Sequence, residues 1–323
     1  MTDPAQSSSI GRPLVSVVIP TRNRRKMFER AVHSVLLQDV DVELVVIELD
    51  SVDDTHEFLD GLHDDRIRRI RIDQCPPGRA RNLAAAAAKG RWLAFLDDDD
   101  FWGPGRLRAH VAALVEHDAN WGDAATFYFD DDGRVTGLRR PFVGSATQLL
   151  LALTSGNPIT STSTVIVDRE FFLEVGGFDE SLRFGEDWML WLDLAASGRW
   201  FGLEQPLCAT RVGFGSASAA PGEINQTLAS LAAHRNKLGH LPGIMSPVAS
   251  WNLLQSVAYL RANSRVRGAY FRARAAMDRR SVRDLAIAGA TLVLGPRWVL
   301  NRASKITKTT ASVPEWLTGA VTV

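Results

Sequence analysis

Trp92-Leu93-Ala94-Phe95-Leu96-Asp97-Asp98-Asp99-Asp100 is the stretch that decides how this chain is read. Five apolar residues in a row are too few for a helix of their own, and they read as a strand buried on both faces. Four adjacent carboxylates repel one another and hold their protons more tightly unless a cation neutralises them. Mg²⁺ or Mn²⁺ is the economical partner, since such ions prefer hard oxygens and take one or two protein carboxylates together with phosphate oxygens. Side chains alternate along an extended strand end, so either Asp97 with Asp99 or Asp98 with Asp100 points two carboxylates the same way. The plain alternative is a solvated acidic turn in which Asp100 caps a helix.

Outward from that stretch, strand-like and helix-like segments alternate. Residues 14–20 (LVSVVIP) form a β-branched run ending at Pro20, and residues 43–49 (ELVVIEL) a second buried strand. Residues 25–38 carry Met27, Phe28, Ala31, Val32, Val35 and Leu36 at helical spacing. Residues 55–62 read as a short helix, 67–72 as a third strand, and 78–89 as an Ala-rich helix with Gly90 as its stop. This order predicts an α/β fold, a mostly parallel sheet with helices on both faces. Ligands of such sheets bind beyond the carboxyl ends of the strands. Thr21-Arg22-Asn23, Asp50-Ser51 and the four aspartates all sit at such ends. Further on, Gly185-Glu186-Asp187 opens an apolar helical stretch over 188–196. A helix mouth stabilises anions, and capping explains one acid; the second is a candidate general base.

Composition narrows the function. The 323 residues are 46% hydrophobic, enough to bury a large core. Lys plus Arg and Asp plus Glu both number 37, so the net charge is zero and no nucleic-acid partner is expected. Cys75 and Cys208 are too few and too far apart for a disulfide framework, which suits a reducing, cytoplasmic setting. The first dozen residues lack the apolar core of a signal peptide, and residues 285–300 fall short of a membrane span and are broken by Pro296 and Arg297. The histidines, among them His33, His110 and His117, are scattered, and no Ser/His/Asp hydrolase pattern is present. Past residue 220 the chain reads as mostly helical. Between Arg261 and Arg283 it carries eight arginines against one acid, Asp278. Those arginines either form solvated helix faces or, with Trp298 and the apolar stretch, a peripheral membrane contact at the inner face of the membrane.

Six motifs occur in order. They are Pro20-Thr21-Arg22-Asn23-Arg24; Glu48-Leu49-Asp50-Ser51 with Asp53-Asp54-Thr55; Gly78-Arg79-Ala80-Arg81-Asn82; Phe95-Leu96-Asp97-Asp98-Asp99-Asp100-Phe101-Trp102; Gly176-Gly177-Phe178-Asp179-Glu180; and Gly185-Glu186-Asp187-Trp188. Together they closely resemble family 2 glycosyltransferases of the GT-A fold. The resemblance implies a flexible N-terminus over 1–13, a GT-A catalytic domain over 14–215 and a helical C-terminal extension over 216–323. It implies inverting transfer of a sugar from a nucleotide-diphosphate donor to an acceptor hydroxyl, saccharide or lipid-linked, in polysaccharide, glycolipid or glycoconjugate assembly. By the same resemblance Pro20, Thr21 and Arg22 border the nucleotide. Glu48 stands where the family's base-contacting acid does, and Arg79, Arg81 and Asn82 lie near ribose and phosphates. Asp97 and Asp99 match the Asp-x-Asp metal pair, Asp97 and Asp98 flank the nucleotide, and Asp187 matches the catalytic base, with Glu186 second. Trp102, Trp188 and Arg211 are placed on the acceptor side; the tryptophans stack on sugars or pack the core, and Arg211 helps neutralise the diphosphate. The chain departs from the family in two places. It reads Glu48-Leu49-Asp50-Ser51 for Asp-Asp-Gly-Ser, and Arg211-Val212-Gly213 where many members carry Arg-Val-His. Gly213 offers a metal no side chain. A nucleotidyltransferase and a degenerate nucleotide-sugar-binding subunit remain the alternatives.

Overall fold

The alternation along the central strands fixes two layers of core. In the computed structural model Val18, Val45, Ile47, Leu93 and Phe95 join one apolar cluster, while Val15, Val17, Ile19, Leu44, Val46, Trp92, Ala94 and Leu96 join another. A sheet with a period of two and both faces buried must carry helices on both sides. The structure describes residues 14–154, 156–159, 161–212, 226–227, 229–233, 265–278, 288 and 313–320.

The elements run β1 (Val15–Thr21), α1 (Arg25–Leu36), β2 (Val42–Leu49), α2 (Thr55–Gly61), β3 (Ile67–Ile72), α3 (Pro77–Ala87), β4 (Trp92–Phe95), β5 (Phe101–Trp102), α4 (Arg106–Glu116), β6 (Trp121–Phe129), β7 (Val135–Arg139), α5 (Ala146–Leu153), a tight turn at Thr162–Thr164, β8 (Val165–Asp168), α6 (Arg169–Glu174), α7 (Glu186–Ser197) and β9 (Trp200–Arg211). Helices α8 (Arg265–Asp278) and α9 (Glu315–Ala320) lie further along the chain. The nine-stranded sheet has the order β3-β2-β1-β4-β8-β6-β9-β5, with β7 paired to β6. Strands β1 to β4 are mutually parallel, and β6 and β9 run in the same sense; β5, β7 and β8 run against them. Helices α3, α5 and α7 contribute to the first core cluster, α1 and α4 to the second.

Every element read upstream of Asp97 is present within two residues of its expected ends. Gly90 has a different job from the helix stop read from the sequence. Helix α3 ends at Ala87 with an extended cap at Ala88. A side chain at Gly90 would lie 2.6 Å from the Ser16 backbone and hydroxyl, so glycine is needed there for close approach to β1. Asp100 caps no helix, because α4 begins six residues further on behind the left-handed Gly105. Of the predicted segment at residues 285–300 only Ala288 is described, and it is buried; Trp298, Gly213 and residues 1–13 lie outside the described residues. Among the described residues no helix is long and apolar enough to cross a membrane.

Candidate active site

Parallel pairing of β1 with β4 sets their carboxyl ends side by side, and the site grows from that edge. Thr21 ends β1, and its hydroxyl donates to Asp98 Oδ2 at 3.0 Å; the Arg22 backbone N–H reaches the same oxygen at 3.4 Å. The chain then turns through Asn23 at φ +54°, a conformation that Asn tolerates better than most side chains. Asn23 ties this turn to the loop after β2: its N–H donates to Ser51 Oγ at 3.2 Å, and its Oδ1 accepts from the Val52 N–H at 2.7 Å. Arg24 is thereby turned back over the acid loop. Its Nη1 donates to Asp98 Oδ1 at 2.9 Å and to Asp99 Oδ2 at 3.0 Å.

The acid loop is held from four sides. Asp97 accepts from Arg81 Nη2 at 2.7 Å and from the Thr162 hydroxyl at 3.1 Å, and its N–H donates to Ser163 Oγ at 3.0 Å. Asp100 is buried, accepting from the Ser161 hydroxyl at 3.2 Å and the Arg211 N–H at 2.8 Å. Arg211 Nη1 donates to Asp99 Oδ2 at 3.3 Å, and its other arm pairs with Asp131. Burial pushes the Asp98 carboxyl up to about 6, against the pull of Arg24. Burial and Asp97 raise Asp99, and burial with Asp99 raises Asp100 well above the ordinary range.

Arg81 connects this loop to the mouth of α7. It is 6% exposed, and its Nη1 donates to Glu186 Oε1 at 2.9 Å while Nη2 serves Asp97. Burial opposes its charge, but Asp97 and Glu186 outweigh that and hold its pKa above the usual value. Next to Glu186, Asp187 is half-buried, and its Oδ1 accepts from the Trp188 N–H at 2.7 Å. Burial first, then the Glu186 charge, pushes its carboxyl up to about 7. A carboxylate with that affinity is matched to taking a proton near neutral pH.

Thr21, the Arg22 backbone, Arg81, Asp97, Asp98, Asp99, Glu186 and Arg211 thus share one network, with Asp187 at its edge. The other predicted residues lie apart from it. Pro20 stands in register with Ile47 inside the sheet. Glu48 is fully buried and accepts from Arg69 Nε at 2.7 Å, with its Oε1 left without a hydrogen bond. Arg79 is exposed. Asn82 holds the loop before α7: its Nδ2 donates to the Phe178 carbonyl at 2.9 Å and to Glu180 Oε1 at 3.0 Å, and its Oδ1 accepts from the Phe178 N–H at 2.9 Å. Trp102 and Trp188 are 3% and 4% exposed, and their indole N–H groups donate to the Ser163 and Leu153 carbonyls, each at 2.8 Å. Both rings serve the core and leave little surface for a sugar.

Sequence reasoning assigned no role to Arg24, Ser163, Asp131 or Arg69, and expected residues 157–162, with Ser161 and Thr162, near the acceptor. Arg24 was recoverable, since it stands in the polar cluster at the end of β1. Ser163 and Asp131 reach the loop from turns beside β8 and β6, whose pairing no local pattern reveals, whereas Arg69 on β3 serves Glu48 away from the loop. As for a metal, no group of three or more His, Cys, Asp or Glu is arranged to hold one among the described residues. Asp97, whose side chain is 32% exposed, and Asp99, whose hydrogen bonds fall on Oδ2, offer two hard carboxylates. That set fits Mg²⁺ or Mn²⁺, which complete their shell with phosphate and water oxygens.

Residues 16–176 match the family model described as glycosyl transferase family 2. The chain is 31% identical over 192 residues to the putative teichuronic acid biosynthesis glycosyltransferase TuaG of Bacillus subtilis, covering 58% of this chain and 74% of that protein. It is 34% identical over 203 residues to the succinoglycan biosynthesis protein ExoO of Rhizobium meliloti, covering 58% of this chain and 57% of that protein. A third relative, at 29% over 189 residues, is the Escherichia coli UDP-Glc:alpha-D-GlcNAc-diphosphoundecaprenol beta-1,3-glucosyltransferase WfaP, covering 57% of this chain and 71% of that protein. In structure, residues 1–349 of S. aureus TarS in complex with UDP-GlcNAc align with a TM-score of 0.59 at 18% identity, over 85% of this chain and 92% of that one. The mannosyltransferase PcManGT of Pyrobaculum calidifontis, in complex with GDP-Man and Mn²⁺, aligns with a TM-score of 0.52 at 18% identity, over 97% of this chain and 87% of that one. The GT-A-like sheet, its acid loop and these matches agree: the chain is a family 2 glycosyltransferase.

Proposed function

We propose that this enzyme moves a sugar, with inversion, from a nucleotide-diphosphate donor to a hydroxyl of a lipid-diphosphate-linked saccharide at the cytoplasmic face of a membrane. The observation that carries the proposal is Arg81, whose two arms join Asp97 of the donor loop to Glu186 beside the candidate base. In this reading Arg81 couples the loop that receives the leaving group to the mouth of the helix that carries the proton acceptor, as an in-line displacement requires. Glu186 is committed to Arg81, whereas Asp187 accepts only from the N–H of the next residue, so Asp187 is the base. Asp187 takes the acceptor proton as the acceptor oxygen bonds to the anomeric carbon. The bond from that carbon to the phosphate oxygen breaks on the opposite face, and the nucleoside diphosphate leaves. Arg211, held by Asp131, stands beside the growing phosphate charge. When bound, Mg²⁺ or Mn²⁺ held by Asp99 and Asp97 would supply Lewis-acid stabilisation of the leaving diphosphate. The lipid-diphosphate acceptor is suggested by the diphosphoundecaprenol relative and by the polysaccharide roles of the others.

The test offers UDP-, GDP-, dTDP- and CDP-sugars with a saccharide-diphosphate-polyprenol acceptor and measures release of nucleoside diphosphate. Release that depends on the acceptor is the expected result. Pyrophosphate released from a nucleoside triphosphate would mark a nucleotidyltransferase. Binding of a donor without turnover by any acceptor would mark a degenerate subunit.

A further inference from the structure

Four guanidiniums surround the acid loop, and they are not held equally. Arg30 donates to the Asp99 carbonyl at 3.3 Å and lies over the rings of Phe101 and Phe129. Arg81 is nearly buried, with both arms committed to Asp97 and Glu186. Arg211 is tied outside the loop by Asp131 and through its own N–H to Asp100. Arg24 has a side chain 37% exposed, and its hydrogen bonds go only to Asp98 and Asp99, both from Nη1. Of the four it alone can leave without giving up a contact outside the acid loop.

It also has reason to leave. Asp99 Oδ2 already accepts from two guanidiniums, at 3.0 and 3.3 Å. A carboxylate so neutralised is a poor ligand for a divalent ion. An ion bound at the usual distance of about 2 Å would sit within about 5 Å of both guanidiniums, in a half-buried loop where like charges repel strongly. A donor arrives with the remedy, because its phosphates offer a guanidinium a charge-assisted and often bidentate partner. Asn23, pinned to Ser51 and Val52, gives the swing a fixed pivot one residue away.

We infer that Arg24 is a donor-diphosphate ligand that stands in for the divalent ion at Asp99 in the free enzyme and passes to the phosphates when ion and donor bind. The inference rests on the donor reading above and adds to it a residue and an order of events. Ion and nucleotide then bind cooperatively, each relieving what the other needs relieved.

The test uses the full chain as wild type, Arg24→Ala and Arg24→Lys. Mn²⁺ binding without nucleotide is followed by electron paramagnetic resonance. Calorimetry follows UDP, GDP, dTDP and CDP at saturating Mn²⁺. In Arg24→Ala, Mn²⁺ should bind more tightly than in wild type, while the preferred diphosphate should bind about tenfold or more weakly, the scale of one lost charged hydrogen bond. Arg24→Lys, which keeps the charge, should recover most of the diphosphate affinity. Unfolding cannot produce this pattern, since a collapsed site loses both ligands. Unchanged or weaker Mn²⁺ binding in Arg24→Ala, or unchanged diphosphate affinity, overturns the exchange. If wild type binds no diphosphate at all, the donor reading itself fails.

Discussion

Asp187 and Arg81 divide the chemistry at the scale of single residues. As the proposed base, Asp187 must be ionised to accept a proton, and burial and the Glu186 charge push its carboxyl up to about 7. Turnover should therefore rise with pH through about 7 and level off above, as a pH profile of kcat would record. Asp187→Asn should lower kcat by about 10²–10⁴-fold, with nucleotide affinity retained. Arg81 is different in kind. Its loss leaves Asp97 and Glu186 without their shared cation, and Glu186 is itself buried. Arg81→Ala should cost about 3–5 kcal/mol in a denaturant titration, and Arg81→Lys should recover little, because one ammonium cannot span both carboxylates.

At the scale of elements, the loop that leads into α7 aims the proposed base. It passes through Gly177 at φ +69°, and a Cβ there would meet Asn82 Oδ1 at 2.6 Å. Asn82 closes the loop with its bonds to Phe178 and Glu180, so Asn82→Ala should destabilise the fold by about 1–3 kcal/mol and lower kcat more than it raises KM. The sequence was readable up to Asp97 because short apolar strands alternate there with amphipathic helices. Beyond Asp100 the signal fades for a physical reason. Strand β6 is buried at all nine positions and shows no alternation, and β8 is four residues long and runs against its neighbours. The site divides likewise. The four aspartates announced themselves by adjacency, whereas Arg81 meets Glu186 across 105 positions of sequence, a contact that only the completed sheet creates. Trp102 and Trp188 are core residues because their flanking strand and helix are buried, which a motif alone does not reveal.

Two features belong to the molecule as a whole. The last described helix, α9, returns to the strand that leaves the acid loop. Leu317 is fully buried beside Phe101, Phe127 and Phe129, and the Trp316 ring lies where a side chain at Gly103 would have to go. Trp316→Ala should lower stability by about 2–4 kcal/mol, seen as a lower Tm, although Trp316 is distant in sequence from every catalytic motif. The second feature is the load of buried acid. Asp98 and Asp187 hold their protons to about 6 and 7, and so does the buried Asp123 on β6, to about 6, where burial outweighs the pull of Arg139. Each folded carboxyl thus binds its proton more tightly than in the unfolded chain, where the pKa is about 4. The stability they contribute is present at low pH and is lost as pH rises through about 6–7. Tm without ligands should therefore rise on going from about pH 8 to pH 6.

The most direct test of donor chemistry at the acid loop is calorimetric titration of UDP, GDP, dTDP and CDP, with and without Mn²⁺, into wild type and Asp99→Ala. Tight binding of one diphosphate that needs Mn²⁺ and disappears in Asp99→Ala is the predicted result. Binding of none, or binding that is indifferent to both Mn²⁺ and Asp99, would contradict it.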